Sequence, residues 1–266
     1  MLATTSLRAS RLGAIGHGRL LMVAESELAA LRSTSTKPRV EKSNWKHNVV
    51  YLYQFPRTPY LPNPSPYCLK IETYLRVNNL KYELNGEQIS DSQIILWRLA
   101  KLFEIQDPVS GHERGTARAI ERMLDMSTVN SLNHDRMVKH AHLTLARNVS
   151  GVPLPAFASN FLATRFAKKA QSMINRKTDR LSAEELKENL KRDIQAVADV
   201  LDTKKFLFGD RMTIADCTAF GHLGTSYFLP FRQHITDLLD DDHPRVKNYL
   251  ERIRAHYWQD WKLPEY

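Results

Sequence analysis

The chain has 266 residues, 42% hydrophobic and 25% charged, with a formal net charge of +9. That balance excludes a globally disordered or fibrous chain and leaves room for one large or two small folded domains. Its two cysteines, Cys68 and Cys217, form no CxxC pair and support neither a disulfide framework nor a thiolate zinc site.

A reducing, cytoplasmic setting fits that cysteine usage. The apolar runs fall well short of the roughly 18 residues that cross a bilayer, so any membrane association is expected at the surface. The positive charge comes without zinc-finger spacing or a stacked-aromatic RNA-binding pattern, so no nucleic-acid partner is expected; an anionic membrane surface stays open.

Residues 1–24 hold Arg8, Arg11 and Arg19 with Ser6 and Ser10, several leucines and no acid. This suits a mitochondrial transit peptide or a disordered basic tail, since Gly13, Gly16 and Gly18 weaken a helix. The Ser/Thr/Lys-rich stretch with Pro38 that follows reads as a linker, so residues 1–47 form a tail and the fold begins at 48.

The run "VVYLYQF" over 49–55 predicts a buried strand, ended by Pro56. Five prolines follow up to Pro66, where Ser65 as N-cap and Pro66 in the first turn predict a helix with Tyr67, Ile71, Tyr74 and Leu75 inward. Leu84-Asn85-Gly86-Glu87 predicts a hairpin turn. Ser90 to Gln93 forms a capping pattern ahead of Ile95, Leu99 and Leu102 at helical spacing.

Beyond Pro108 the pattern is helical throughout. Ser182 and Glu185 cap a helix with Leu186, Leu190, Ile194, Val197 and Leu201 on one stripe. Thr213 and Asp216 cap another, and a last helix begins at Pro244. These elements predict an α/β domain over 48–107, an all-helical domain over 108–258 and a tail over 259–266.

The stretches "YLYQFPRTP", "SPYCLKIETYLR", "NGEQISDSQ" and "FLFGDRMTIADCTAFGHL" together resemble the failed axon connections and metaxin-related proteins, a branch of the glutathione-transferase fold. The resemblance covers 48–258 and implies α/β plus all-α: a thioredoxin-like amino-terminal domain followed by a helical bundle. One departure stands out. In the family a second strand, a short helix and a third strand opened by a cis-proline precede the hairpin. Here Lys81-Tyr82-Glu83 runs straight into Leu84-Asn85-Gly86, and no proline lies between Arg76 and Asp107. The expected domain is therefore truncated, lacking the second strand, second helix and cis-proline strand, as a skipped exon would leave it.

The resemblance implies that Ser65 faces a glutathione sulfur, with Tyr67, Asp91 and Ser92 contacting the tripeptide. Each serine and the aspartate also has a plain role at a helix start. Cys68, one turn on, reads as a buried structural thiol. Losing the backbone hydrogen bonds of the cis-proline loop costs about 1 kcal/mol or more each, so efficient conjugation is not expected; no cofactor is assigned, with glutathione kept open. His134, His140 and His142 lack a ligand pattern and read as solvent-facing. Arg165, Lys168, Lys169, Arg176, Lys177 and Arg180, beside Phe161, Phe166 and Met173, suit a bundle helix with a solvated basic face or an amphipathic helix on anionic lipid.

Two functions follow. One is a non-catalytic protein acting on a protein partner or an anionic membrane surface, in axon development by analogy, with a homodimer as a further option. The other is a glutathione transferase working through Ser65.

Overall fold

The computed structural model describes residues 46–52, 54–83, 91–152 and 156–264. Most of the expected tail and the Asn85-Gly86 turn lie outside them.

The strand read over 49–55 is realised as β1 (Val50–Tyr51), which leads through the proline-rich loop into α1 (Pro66–Val77). Ser65 is its N-cap, accepting from the amide of Cys68 at 3.4 Å. After α1 the chain returns as β2 (Tyr82–Glu83), paired in parallel with β1 in the register Val50 to Tyr82 and Tyr51 to Glu83. This corrects the expectation that the second strand is missing. The twelve-residue helix is itself the crossover a parallel pair needs, and the three residues before the hairpin sequence suffice for two rungs. Among the described residues the sheet has two strands.

α1 is buried well beyond the expected stripe: Leu69, Lys70, Glu72 and Thr73 are enclosed together with Ile71, Tyr74 and Leu75. Glu72 is fully covered and gathers Gln54 Nε2 at 2.7 Å, Arg57 Nη1 at 2.9 Å, Arg76 Nη2 at 3.4 Å and the Tyr82 hydroxyl at 2.9 Å. One carboxylate thus ties the loop and β2 to the helix, as a buried charge requires.

α2 (Ser92–Leu102) starts one residue later than expected, with Asp91 rather than Ser90 as N-cap. Its inward face is Ser92, Gln93, Leu96 and Leu99, while Ile94, Trp97 and Leu102 face outward. Two overlapping apolar stripes compete on this helix, and packing against α1 selects the one that does not contain Leu102.

The bundle opens with α3 (Gly111–Met123), capped by Ser110 with Glu113, and continues through a π-helical turn (Leu124–Thr128), α4 (Val129–Asn133) and a second π-helical turn (His134–Lys139). Short α5 (Ala141–Thr144) and α6 (Arg147–Ser150) lead to α7 (Ala156–Lys177) and α8 (Ala183–Leu201). α8 carries the expected Ser182–Glu185 box and buries all five residues of the expected stripe. Next come α9 (Ile214–Tyr227), α10 (His234–Asp237), a π-helical turn (Leu238–Asp242) and α11 (Pro244–Tyr257).

α9 is the spine, buried on every side from Ile214 to Ser226. Asp216 does more than close the Thr213 box. It accepts from the amides of Leu207 and Thr213 at 2.9 Å each, from Thr213 Oγ1 at 2.7 Å and from the Tyr249 hydroxyl at 2.9 Å. α1 lies against α9 at Gly221.

At the end of the bundle Trp258 is buried and donates to Thr73 Oγ1 at 3.2 Å. The segment expected as a tail packs on the fold through described residues: Trp261 donates to the carbonyl of Tyr60 at 2.8 Å, and Asp260 takes Arg76 bidentately at 2.6 and 2.8 Å. The Arg76 guanidinium also sits 3.9 Å from the Trp258 ring centre. Two indoles three residues apart on apolar surface explain why the chain does not leave the body here.

Candidate functional site

The starts of α1 and α2 meet the bundle where α3 passes into its π-helical turn. The loop ahead of Ser65 is held rigidly. Asn63 is buried, donates to the carbonyl of Phe55 at 2.9 Å and accepts from the Ser65 amide at 2.8 Å. Arg136 donates to the carbonyls of Pro64 at 3.2 Å and Thr225 at 3.1 Å. It is fully enclosed among neutral acceptors, and that burial pulls its guanidinium down to about 10.

Around this start the groups are set for their neutral forms. Burial pushes the Cys68 thiol up, against hydrogen bonds from Ser65 and the Phe55 backbone. Tyr67 donates to the carbonyl of Asp125 at 3.3 Å and meets the His222 ring edge-on, centres 5.1 Å apart. Burial, then the carboxylates of Asp125 and Asp91, push its phenol up to about 12. Asp91, with φ of 81°, spends one oxygen on the amides of Gln93 at 2.9 Å and Ile94 at 3.3 Å. Of the residues singled out in the sequence, Tyr67 and Asp91 are thus brought within electrostatic reach of each other. Ser65 Oγ is engaged with its own helix, and Ser92 is buried in the first turn of α2.

Beneath Tyr67 lies a polar cluster that the sequence did not reveal. Lys70 is fully buried and reaches Asp125 Oδ2 at 3.1 Å and Gln93 Oε1 at 3.1 Å. Gln93 Nε2 donates to Glu121 at 2.8 Å, and His222 Nε2 lies 2.7 Å from Asp125 Oδ1. With Nε2 donating to the carboxylate, Nδ1 of His222 is a bare acceptor, buried and without a hydrogen-bond partner among the described residues. Burial lowers the His222 pKa despite Asp125. Burial also opposes charge on Asp125, but the bonds from His222 and Lys70 outweigh it and hold the carboxyl below its usual range. Asp125 sits in a π-helical turn, a feature frequent at functional sites. The glycine before His222, within "FGHLG", was the one local signal of close packing here.

Beside this cluster a groove of about 440 Å³ opens between α2 and α3, lined among others by Trp97, Asp107, Arg114, Arg118 and Glu121. Burial pushes Asp107 up to about 6, against the Ile214 amide that it accepts at 2.9 Å. A raised carboxyl contributes stability that is complete below its unfolded value near 3.8 and is lost as pH rises through about 6. Asp107→Asn, whose amide oxygen keeps the Ile214 bond, is therefore expected to gain stability over the parent at pH 7.5 and to match it near pH 4, as urea unfolding at both pH values will show.

Of the three histidines expected to face solvent, His142 is exposed, whereas His134 is half-buried and His140 is mostly covered, its Nδ1 donating to the carbonyl of Asp135 at 3.0 Å. Among the described residues no group of three His, Cys, Asp or Glu is placed to hold a metal ion, and no helix is long and apolar enough to cross a membrane.

Residues 190–253 match the family described as glutathione S-transferase, C-terminal domain. The chain is 31% identical over 263 residues to Failed axon connections of Drosophila melanogaster, a match that covers 85% of this chain. The chain spans only 62% of that protein's length. Among solved structures it is similar to the glutathione transferase GSTFuA3 from Phanerochaete chrysosporium, with a TM-score of 0.54 at 12% identity, covering 82% of this chain and 98% of that one. At that identity the likeness shows the fold alone.

Proposed function

We propose that this glutathione-transferase-fold relative of Failed axon connections acts as an interaction scaffold with little or no thiol-transfer chemistry, engaging a protein partner or an anionic membrane surface. A role in axon development is part of the proposal, by analogy with that relative. The observation that carries it is the electrostatic setting at the start of α1, where Tyr67 is driven up to about 12 by burial and two carboxylates, and the Cys68 thiol is driven up as well. A glutathione thiolate placed there would meet Asp91, which works against the positive end of α1. The sequence supports the same reading, since the strand that would bring the family's cis-proline has no proline to offer between Arg76 and Asp107.

The surface arm rests on α7, which has no Asp or Glu along Ala156–Lys177 and exposes Arg165, Lys168, Lys169, Arg176 and Lys177 with Phe161 and Met173. Each cation near an anionic surface contributes about 1 kcal/mol. The chain is expected to co-sediment with phosphatidylcholine–phosphatidylserine vesicles at low salt and to come off as salt rises. Lys168→Glu with Lys169→Glu should abolish the binding. No sedimentation at low salt would remove the membrane arm.

The second reading, a glutathione transferase, is favoured by one observation: Asp91 is close enough to Tyr67 to raise its phenol, so the two helix starts converge. Retention on immobilised glutathione, abolished by Asp91→Ala, would support it.

A further inference from the structure

Four large apolar side chains stand exposed along α2 and the turn after α3: Ile94 at 40%, Trp97 at 53% and Leu102 at 74% on α2, and Met126 at 59% in the turn. They are interleaved with cations. Arg114, Arg118 and Arg122 follow one another at intervals of four along α3 and so form one row about 6 Å apart. Met126 continues the row, its sulfur 3.0 Å from Arg122 Nη2. Arg118 links the helices by lying over the Trp97 ring, 5.4 Å from its centre. Arg98 and Lys101 add charge from the exposed side of α2.

Nearby carboxylates are already committed. Glu121 is buried and bonded to Gln93, Asp107 holds the Ile214 amide, and Glu113 holds Ser110. Arg98, Lys101, Arg114 and Arg122 have no ion-pair partner among the described residues. A row of arginines, with Arg118 shared with Glu121 at 3.5 Å and Arg114 and Arg122 unpaired at its ends, beside exposed indole and thioether has the composition of an interface core with a charged rim.

We propose that the α2–α3 face docks an acidic amphipathic helix of a partner protein. Its carboxylates, one per turn, would run along the arginine row, and one apolar side chain would enter the groove against Trp97. This rests on the scaffold reading above and names its partner class. A second copy of this chain is disfavoured as occupant, because an isologous contact would set the arginine row against itself.

The test uses the full chain and a fluorescein-labelled designed helical peptide with leucines on one face and glutamates at every fourth position beside them, read by fluorescence anisotropy. The peptide should bind and weaken with salt. Arg114→Glu with Arg118→Glu and Arg122→Glu should cost about tenfold or more in affinity, and a lysine-for-glutamate version of the peptide should bind that variant better than the parent. Trp97→Ala, an exposed change that spares the fold, should weaken binding without altering its salt dependence. Equal binding to the parent and the charge-reversed chain overturns the proposal, as does no binding. Vesicle binding or self-association that is lost on charge reversal, with no peptide binding, also overturns it, in favour of a lipid or a second copy. Peptide failure with vesicle binding through α7 intact sinks this proposal alone, whereas tight glutathione binding sinks the scaffold reading whatever the peptide does.

Discussion

Asp125→Ala is expected to lower folding stability by about 3–5 kcal/mol, the cost of removing one member of a buried ion pair. The carboxylate is the meeting point of α1, α9 and the π-helical turn after α3: Lys70 reaches it at 3.1 Å and His222 at 2.7 Å, and both of those side chains are fully enclosed. Without it, among the described residues, the Lys70 ammonium keeps Gln93 Oε1 alone and the His222 Nε2 proton has no acceptor. Removing both charges is expected to cost less: Lys70→Met with Asp125→Leu should recover part of the loss, since no orphaned ion remains. The pH dependence has a fixed sign. Asp125 is held below its ordinary value of 3.8, so its contribution is present above that value and lost as pH falls through the lower folded pKa. The gap between parent and variant should therefore be constant from neutral pH down to about 5 and close in stronger acid, as urea unfolding across that range will report.

Gly221→Ala is expected to destabilise the protein by about 2 kcal/mol net, although alanine in a helix ordinarily gains about 0.5–1 kcal/mol over glycine. A Cβ at this position would lie 2.6 Å from the carbonyl oxygen of Pro66 and 2.8 Å from both the amide nitrogen and Cβ of Lys70. Those are backbone or backbone-adjacent atoms of α1 and cannot swing away, so α1 must move off α9. Moving it also strains the Lys70–Asp125 contact and the Ser65 start. The control lies one turn along the same helix: a Cβ on Gly224 would first meet the Phe228 ring at 3.6 Å, an ordinary contact. Gly224→Ala is expected to be neutral or stabilising, and opposite signs for the two variants in thermal melts would identify the α1–α9 approach as the cause.

Much of the fold was legible wherever the signal is local. The Ser65-Pro66 start, the Ser182–Glu185 box and the Thr213–Asp216 box all rest on hydrogen bonds between residues three apart, and all occur where the spacing puts them. Pairing partners were not legible. Lys81-Tyr82-Glu83 is too short to show alternation, and only its match to Val50 and Tyr51 across a whole helix makes it a strand. The cap of α2 moved by one residue because Asp91 accepts a positive φ and uses its carboxylate on two amides.

The site was half legible for the same reason. Ser65, Tyr67 and Asp91 lie at helix starts and were found there. Lys70, Asp125 and His222 come from three helices separated by 55 and 97 residues, and nothing in the immediate sequence of each marks it as buried. Lys70 stands between Leu69 and Ile71 on a helix that is enclosed nearly all round, where periodicity assigns a lysine to solvent. The Trp258–Trp261 spacing did carry a signal, since indoles three apart on a helix end seek cover.

Titration calorimetry of reduced glutathione into the full chain tests the scaffold account most directly. The account predicts no saturable heat at micromolar concentrations, because burial sets the groups at the start of α1 for their neutral forms and Asp91 stands within electrostatic reach of them. Saturable micromolar uptake that disappears in Asp91→Ala would contradict it and make the transferase reading the correct one.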